Sequence, residues 1–225
     1  MSGIHPITIL GNSSIGIFGF STDSYCLLPL NITEELLIKS RDVLQTSVLQ
    51  LTVNNSHLLG LYGVGNSHHL LLPDLVTQDE IDQIKSGMPD DVEIHVLNSP
   101  ITAFGNVIVT NDKQAIVSEE FTSKEQSLIA EMLDVEVTPF SLLNTTIIGS
   151  MLFLSRKGLL AHPLISDSTL DWLETYFKVP VDVVTVNRGT PFPRPGIIAN
   201  KNGVLVGSDT TGPELMRIFE VLLTD

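Results

Sequence analysis

The stretch GLYGVGNSHHLLLP, residues 60–73, decides the fold because versions of it recur along the whole chain. Each version begins with a glycine, continues as an apolar run, passes through a polar turn and ends in a second apolar run. Four versions begin at intervals of 44, 45 and 44 residues, at Gly16, Gly60, Gly105 and Gly149. In a fifth version, RPGIIANKNGVLVG, Arg194 stands where the glycine is expected, and the glycine is displaced to Gly196. A fixed period of this length indicates a repeat architecture.

A second marker keeps the same period. A hydroxyl residue follows each version at intervals of 44, 45, 44 and 45 residues, as Thr33, Thr77, Thr122, Ser166 and Thr211. In three copies a glutamate stands three residues later, as Glu80, Glu125 and Glu214, whereas Leu36 and Thr169 stand there in the other two. Such a hydroxyl–glutamate pair is the capping box that begins a helix. Each unit therefore contains a helix that starts at the hydroxyl residue.

The order of elements in each unit is predicted as strand, strand, helix, strand. In the second unit, Leu58–Val64 predicts the first strand, Leu70–Leu72 the second, and the polar residues between them a tight turn. A helix of about 10–13 residues follows, with apolar residues at helical spacing. The third strands are predicted at Ser47–Thr52, Val92–Leu97, Val135–Leu142 and Val181–Val186.

The two ends of the chain complement each other. The fifth unit stops after its helix without a third strand, while the apolar stretch Ile4–Leu10 has no hairpin before it. We therefore expect the N-terminal strand to complete the fifth unit and close a ring. The expected fold is an α/β propeller of five ββαβ blades with pseudo-fivefold symmetry, with strands lining the axis and helices outside. Residues 1–225 are expected to form a single domain, with repeats at about 14–57, 58–102, 103–146, 147–191, and 192–225 completed by 1–13.

The composition excludes several classes of protein. The chain has 225 residues, of which 43% are hydrophobic and 17% charged, and this balance is not that of a disordered chain. A net charge of −14 argues against a protein that holds free DNA by neutralising phosphates. We find no apolar run long enough for a membrane span and no signal-peptide pattern at the start, so a cytoplasmic protein is expected.

Enzymatic motifs are mostly missing from the sequence. One known fivefold ββαβ architecture, the pentein-type fold of guanidino-group-modifying hydrolases, resembles this repeat plan. Those enzymes use a cysteine in the last unit, whereas Cys26 lies in the first unit, within the apolar segment YCLLP. A buried, inert thiol is therefore expected, and a pentein-fold guanidino-group-modifying hydrolase stays only as the alternative. His68 and His69 are adjacent and would point to opposite faces of a strand, so neither a metal site nor a cofactor is predicted.

Four motifs, each in its own repeat, resemble the translation initiation factor 6 family in its archaeal form. They are GNSHHLLLP at 65–73, AFGNVIVTNDKQA at 103–115, VTVNRG at 184–189 and GSDTTGPEL at 207–215. The resemblance covers essentially the whole chain; the proline-rich segment Pro191–Pro195 and His57 depart from the family pattern. It implies a non-enzymatic factor that binds the large (50S) ribosomal subunit, prevents its association with the small (30S) subunit and takes part in large-subunit biogenesis. The implied partners are ribosomal protein L14 and the region near the sarcin–ricin loop, bound by a monomer.

The implied contact face consists of the loops that join one unit to the next. These loops are Gly11–Ile15, Asn54–Leu59, Asn98–Gly105, Asn144–Gly149 and Asn187–Arg194. The residues expected to bind the partner are Asn106, Asn12, His57, Ser150, Asn187, Arg188 and Arg194. Asn106 is the strongest candidate because the repeat places apolar Ile17 and Leu61 at the same offset. Asparagine also forms turns, so a purely structural role stays the alternative for each asparagine.

Overall fold

Five three-stranded sheets, one for each repeat, surround a common axis in the computed structural model, which describes residues 3–224. In each sheet the second strand lies in the middle. The first strand runs antiparallel to the second strand, and the third strand runs parallel to the second strand. The sheets of units one to three contain β2 (Phe20–Ser21), β3 (Tyr25–Pro29) and β4 (Ser47–Leu51); β5 (Val64–Gly65), β6 (His69–Pro73) and β7 (Glu93–Leu97); and β8 (Ile108–Thr110), β9 (Gln114–Ser118) and β10 (Glu136–Phe140). Those of units four and five contain β11 (Leu152–Leu154), β12 (Leu159–Ala161) and β13 (Val181–Val183); and β14 (Ile197–Ala199), β15 (Val204–Gly207) and β1 (Ile4–Ile7).

Two kinds of helix complete the units. The long helices lie between the second and third strands, as α1 (Glu34–Leu44), α3 (Gln78–Gly87), α5 (Ser123–Leu133), α7 (Asp167–Phe177) and α8 (Gly212–Leu222). Short helical turns precede the first strands, as α2 (Leu59–Tyr62), α4 (Phe104–Val107), α6 (Ile148–Met151) and the single 3₁₀ turns Ile15–Ile17 and Arg194–Gly196. Within residues 3–224, no helix combines the length and the apolar character that crossing a membrane requires.

The predicted closure of the ring is confirmed. Strand β1 pairs in parallel with β15, and Ile4 lies opposite Val204. The N-terminal strand thus occupies the place that β4, β7, β10 and β13 occupy in the other units. The last and first units are also joined at the axis, where the 3₁₀ turn at Arg194–Gly196 contacts that at Ile15–Ile17.

The hydrophobic core is divided among five clusters that lie between neighbouring units. In the first cluster, Leu27 and Leu51 of the first sheet pack with Leu70 and Leu72 of the second and with Ile84 of α3. Each fully buried leucine of this kind stabilises the fold by roughly 1.5–3 kcal/mol. Because every cluster needs residues of two units, a blade is not stable by itself, and closing the ring supplies the last cluster.

Cys26 lies in the cluster that closes the ring, between the fifth and the first units. Its side chain is buried, as expected, and burial raises the pKa of the thiol to about 12. The thiol is therefore protonated and unreactive at neutral pH.

The prediction that the first strand spans Leu58–Val64 is wrong for all but its last residue. Residues 59–62 form the turn of α2, and the strand begins at Val64. The cause is crowding at the axis, because a Cβ on Gly60 would lie 2.0 Å from the carbonyl oxygen of Gly16. Only glycine allows so close an approach.

The same contact recurs around the ring. A Cβ at Gly105 would lie 2.0 Å from the oxygen of Gly60, and one at Gly149 would lie 2.4 Å from that of Gly105. At the closing point, a Cβ on Gly16 would lie 2.0 Å from the oxygen of Arg194. The recurring glycine thus marks the axial contact, and helical turns, more than strands, line the axis. The predicted third strands also extend up to three residues too far, since β13 ends at Val183.

The predicted helix starts are confirmed. Thr77, Thr122 and Thr211 each form a capping box with the glutamate three residues later. In the first unit the Thr33 hydroxyl accepts a hydrogen bond from the Leu36 amide without a reciprocal partner. The Ser166 hydroxyl lies 2.9 Å from that of Thr169 instead.

Candidate partner-binding face

The fold sorts its loops to two ends of the ring. Because the second and third strands of each unit are parallel, they finish at the same end. This joining end carries the loops that connect successive units, together with the N-termini of the long helices. The opposite end, which we call the hairpin end, carries the five turns between first and second strands. These turns lie around Asp23, Ser67, Asp112, Arg156 and Lys201.

Four of the five connecting loops at the joining end are tight turns. Each is bracketed by an isolated pair of backbone-bonded residues, namely Ile9 with Asn12, Val53 with Ser56, Leu142 with Thr145 and Val186 with Thr190. The residues at their tips have positive φ, as in Leu10 and Gly11, Asn54 and Asn55, Leu143 and Asn144, and Asn187 to Gly189. Asparagine and glycine tolerate this backbone conformation, so their presence in the connecting loops has a local explanation.

The glutamate of the capping box also holds the preceding turn. The carboxylate of Glu80 accepts hydrogen bonds from the backbone amides of Asn54 and Asn55, each at 2.9 Å, and from the Thr52 hydroxyl at 2.7 Å. Burial opposes ionisation of this carboxyl, but the bonds from Thr77 and from the turn outweigh burial and lower the pKa of Glu80. The Glu80 carboxylate thus holds both the start of α3 and the preceding turn, and we call this arrangement a clamp.

Two further units repeat this clamp. Glu214 accepts from the amide of Gly189 at 2.8 Å and from that of Arg188 at 3.3 Å. Burial works against the charge, but the hydrogen bonds from Thr211, Thr185 and Gly189 outweigh it and lower the pKa of Glu214. Glu125 accepts from the Ser99 hydroxyl at 2.6 Å, and this bond is the largest cause of its lowered pKa.

The other two turns have no glutamate to hold them. The residue 26 positions after the turn is Leu36 in one case and Thr169 in the other. At these two turns a leucine occupies the position with positive φ: Leu10 and Leu143, both with φ of 50°. Their side chains are 47% and 46% exposed. A left-handed conformation costs such a residue roughly 1–2 kcal/mol, so neither backbone preference nor burial accounts for these leucines.

More exposed apolar side chains lie at the same end. Leu75 and Leu164 follow the second strands of their units, and Ile147 follows the turn at Leu143. Leu164 is 74% exposed. These side chains expose apolar surface at the end of the ring that carries the connecting loops, and exposed apolar surface is a feature of interaction sites.

Four of the predicted partner-binding residues lie on the turns of the joining end. Asn12 is exposed, and its side-chain oxygen accepts from the Ser14 amide at 2.7 Å. His57 is half-buried in the second connecting loop. The Arg188 side chain is 76% exposed and lies 3.9 Å from the Asp209 carboxylate.

Asn187 has an intramolecular role. Its side-chain amide donates to the carbonyl oxygen of Ser13 at 2.9 Å and accepts from the Thr210 hydroxyl at 3.2 Å. The side chain therefore ties two neighbouring connecting loops together.

The other three predicted residues lie at the axis. Asn106 and Ser150 each follow an axial glycine, and the Ser150 hydroxyl donates to the Asn106 side-chain oxygen at 2.9 Å. The guanidinium of Arg194 crosses the ring to the carbonyl oxygen of Gly60, 3.4 Å away. Burial lowers the pKa of Arg194 to about 10, so the side chain still carries its charge at neutral pH.

A cavity of about 540 Å³ occupies the hairpin end of the axis. All five hairpin turns contribute to its wall, and its charged lining residues are Asp23, Asp112, Glu136, Lys113, Arg156, Lys178 and Arg194. Within the described residues 3–224, the wall contains neither a cysteine nor a histidine. A guanidino-modifying hydrolase needs a nucleophile at this place, and none of its usual type lies there.

One side-chain group was missed from the sequence. His69 and His95 lie on the neighbouring strands β6 and β7, with His69 Nδ1 3.2 Å from His95 Nε2, and Glu93 lies beside them. Comparing His68 with His69 along one strand does not reveal this pair, because it depends on the register between two strands. The alternation of side chains along β7 was the available signal.

Comparisons with known proteins agree with the repeat plan. The model of the eIF-6 family matches residues 4–221. Translation initiation factor 6 of Pyrobaculum aerophilum is 39% identical over 99% of this chain and 100% of its own length, and that of Pyrococcus horikoshii is 40% identical over 92% and 93%. Among solved structures, the cyanobacterial arginine dihydrolase ArgZ is similar with a TM-score of 0.51 at 12% identity, over 79% of this chain and 32% of the longer enzyme. At that identity the similarity shows the pentein-type fold alone.

Proposed function

The chain belongs to the eIF-6 family, and on that premise we propose that this translation factor binds the large (50S) ribosomal subunit and prevents its association with the small (30S) subunit. In the same proposal the joining end is the contact face, and the bound factor blocks the small subunit by its bulk. The factor acts as a monomer in the cytoplasm and also takes part in biogenesis of the large subunit.

The two unclamped turns carry this proposal. Leu10 and Leu143 combine an unfavourable backbone conformation with an exposed apolar side chain, and nothing within the described chain gains from either. Positions that cost stability without an internal benefit are typical of binding surfaces. Burial of each leucine against a partner would recover roughly 1.5–3 kcal/mol.

The charge of the chain favours a particular kind of partner. A protein with a net charge of −14 is attracted to basic surfaces. Ribosomal proteins are rich in basic segments. Ribosomal protein L14 is therefore the proposed main partner. Arg188, an exposed cation on a turn of the joining end, is proposed to contact an acidic residue of the partner or rRNA phosphate near the sarcin–ricin loop.

The polar residues of the face differ in how accessible they are to a partner. Asn12 and His57 are offered to the partner from the turns. Asn187, Asn106 and Ser150 contribute through the loop and axial contacts that they also make within the chain. Ser150 is the least accessible of the set, because it is buried at the axis, whereas Arg194 is half-buried there.

The alternative, a guanidino-modifying hydrolase, is the weaker candidate. Its support is the shared fold, which hosts more than one function. Cys26 is buried between two sheets and does not line the axial cavity. Changing Cys26 to Ser should therefore leave large-subunit binding intact.

Sedimentation with purified subunits tests the proposed function. The protein should cosediment with large subunits and not with small subunits alone, and its addition should reduce the fraction of joined ribosomes at limiting magnesium. Cosedimentation with small subunits, or unimpeded joining at saturating factor, would contradict the proposal.

Two substitutions test the contact face. Arg188→Ala should weaken large-subunit binding and make it less dependent on salt, by about one unit in the logarithmic salt slope if the contact is a phosphate. Asn106→Ser should weaken binding because it removes the side-chain amide, whose oxygen accepts from the Ser150 hydroxyl. Arg217→Ala is the matched control, because Arg217 is half-exposed in the middle of α8 and bonds to Val183 and Asp182 of the strand β13, not to a connecting loop. Unchanged binding for both test variants would rule out the face.

A further inference from the structure

The pairing of β6 with β7 brings three metal-binding side chains together. His69 lies opposite Glu93 in the parallel register, and Leu71 lies opposite His95. Side chains two residues apart on a strand share a face, so Glu93 and His95 lie on the same face as His69. One ligand atom from each of the three residues lies within 4.8 Å of the others.

The distances suit a small divalent ion with tetrahedral preference. His69 Nδ1 and His95 Nε2 are 3.2 Å apart. Two nitrogens bound to Zn²⁺ at the usual length lie about 3.3 Å apart when the angle between them is tetrahedral. Glu93 Oε2 lies 3.7 Å from His95 Nε2, and its side chain is 74% exposed, so it can rotate towards an ion held by the imidazoles.

We propose that His69, His95 and Glu93 form a Zn²⁺ site that ties the second and third strands of unit two together. The ion replaces the hydrogen that the two imidazoles share, and that hydrogen moves to the other nitrogen of the same ring as its tautomer changes. Two imidazoles and a carboxylate leave a fourth position for water.

The environment favours the form of histidine that binds metal. Burial, followed by the nearby His69, lowers the pKa of His95, and the opposing effect of Glu93 is smaller. Burial and His69 both oppose a charge on the ring, and a neutral imidazole binds an ion without first losing a proton.

The site is separate from the proposed ribosome contact. His69 and Glu93 begin their strands, and these strand starts lie at the hairpin end, opposite the joining end. The inference thus does not depend on the proposed function, and zinc binding can be measured on the isolated protein.

Metal titration of the full chain, purified without a histidine tag and freed of metal by a chelator, tests the site. Isothermal titration with Zn²⁺ should show one ion bound per chain. Co²⁺ in place of Zn²⁺ should give the intense visible absorption of tetrahedral coordination. At a hundredfold excess over the dissociation constant, Zn²⁺ should raise the melting temperature by roughly 5–10 °C.

Substitutions separate this site from adventitious binding. His95→Gln should weaken Zn²⁺ binding at least tenfold, and Glu93→Gln should weaken it less while leaving the apo-protein folded, because Glu93 is exposed. His68→Gln is the matched control, since His68 is exposed with its ring 6.5 Å from that of His69, outside the cluster. Absence of saturable binding, or equal weakening by Glu93→Gln and His68→Gln, would overturn the proposal.

Discussion

Leu10 and Leu143 occupy the turn position that the other units fill with Asn54, Ser99 and Arg188. The five residues are equivalent because each precedes the third residue of the next long helix by 26 positions. Where that helical residue is glutamate, the turn residue is polar, and it is leucine in the two units where the glutamate is missing. The correlation indicates two kinds of turn, one fastened to the fold and one free to adapt to a partner.

Leu143→Asn separates the two roles at the scale of one residue. Asparagine suits the left-handed backbone better than leucine, so the variant should be as stable as the parent protein or more stable, by up to about 1 kcal/mol. Large-subunit binding should nevertheless weaken about tenfold or more, because an apolar contact is lost. Thermal unfolding and sedimentation, measured on the same preparation, check both expectations.

The control is Ile38→Gln, which changes an equally exposed apolar residue on α1. It should leave large-subunit binding unchanged. If Leu143→Asn bound as tightly as the parent protein, Leu143 would be no more than a tolerated surface residue, and the joining end would lose its main support as a contact face.

At the scale of elements, the capping box has a second task that the sequence pattern does not show. The Thr–Glu spacing predicted three helix starts, and the same glutamates turn out to hold the preceding connecting turns. The clamp depends on the ionised carboxylate, because the amides and hydroxyls that point at it are all donors.

The clamp predicts a pH dependence for Glu80→Gln. The pKa of Glu80 is lower in the fold than its ordinary value of 4.5, so folding favours the ionised form. This stabilisation is complete above the ordinary value and is lost as the pH falls through the folded value. At pH 7 the variant should be less stable by about 1–3 kcal/mol, and the difference should shrink below about pH 4.5.

Urea unfolding between pH 3 and pH 7 measures this effect. Glu35→Gln is the control, because Glu35 is exposed in the first turn of α1, a helix with no clamp. A constant difference between Glu80→Gln and the parent protein across this range would show that the side chain stabilises the turn by packing and not by charge.

The elements also show which features the sequence can predict. Helix starts, hairpin turns and the number of units follow from local patterns that repeat, so they were predictable. The predicted first strands begin several residues before the observed ones. The reason is that the helical turn at Leu59–Tyr62 contacts Gly16 of the previous unit, and this contact is not visible in the local sequence. The His69–His95 pair was missed for a similar reason, since strand register is a property of two segments together.

The candidate site follows the same division. Asn12, His57, Asn187 and Arg188 lie at one end of the ring, because the position of each connecting loop follows from the order of elements; their contact with a partner stays a prediction. Asn106, Ser150 and Arg194 lie at the axis, where their contacts depend on the packing of neighbouring units. The exposed leucines were not predicted, because exposure cannot be read from an apolar residue in a turn.

At the scale of the whole molecule, closure of the ring makes each unit depend on two neighbours. The core between the fifth and first units contains Ile7 and Ile9 from the N-terminal segment together with Leu28 and Leu205. Removing this segment would expose the edge of β15 and leave that core incomplete. The position of the segment along the chain should matter less than its presence, since in the other units the equivalent strand follows its helix directly.

A circular permutant tests this dependence. Deleting residues 1–11 should cost on the order of 5 kcal/mol or more, from the loss of the two buried isoleucines Ile7 and Ile9 and of a strand of the sheet, and this is comparable with the whole stability of a domain. Moving the same residues to follow residue 225 should restore the fold, because six residues would then connect α8 to β1, against five between α3 and β7. Circular dichroism and thermal unfolding of the two proteins compare them directly. A truncated chain as stable as the parent, or a permutant as unstable as the truncation, would show that β1 is not the strand that closes the ring.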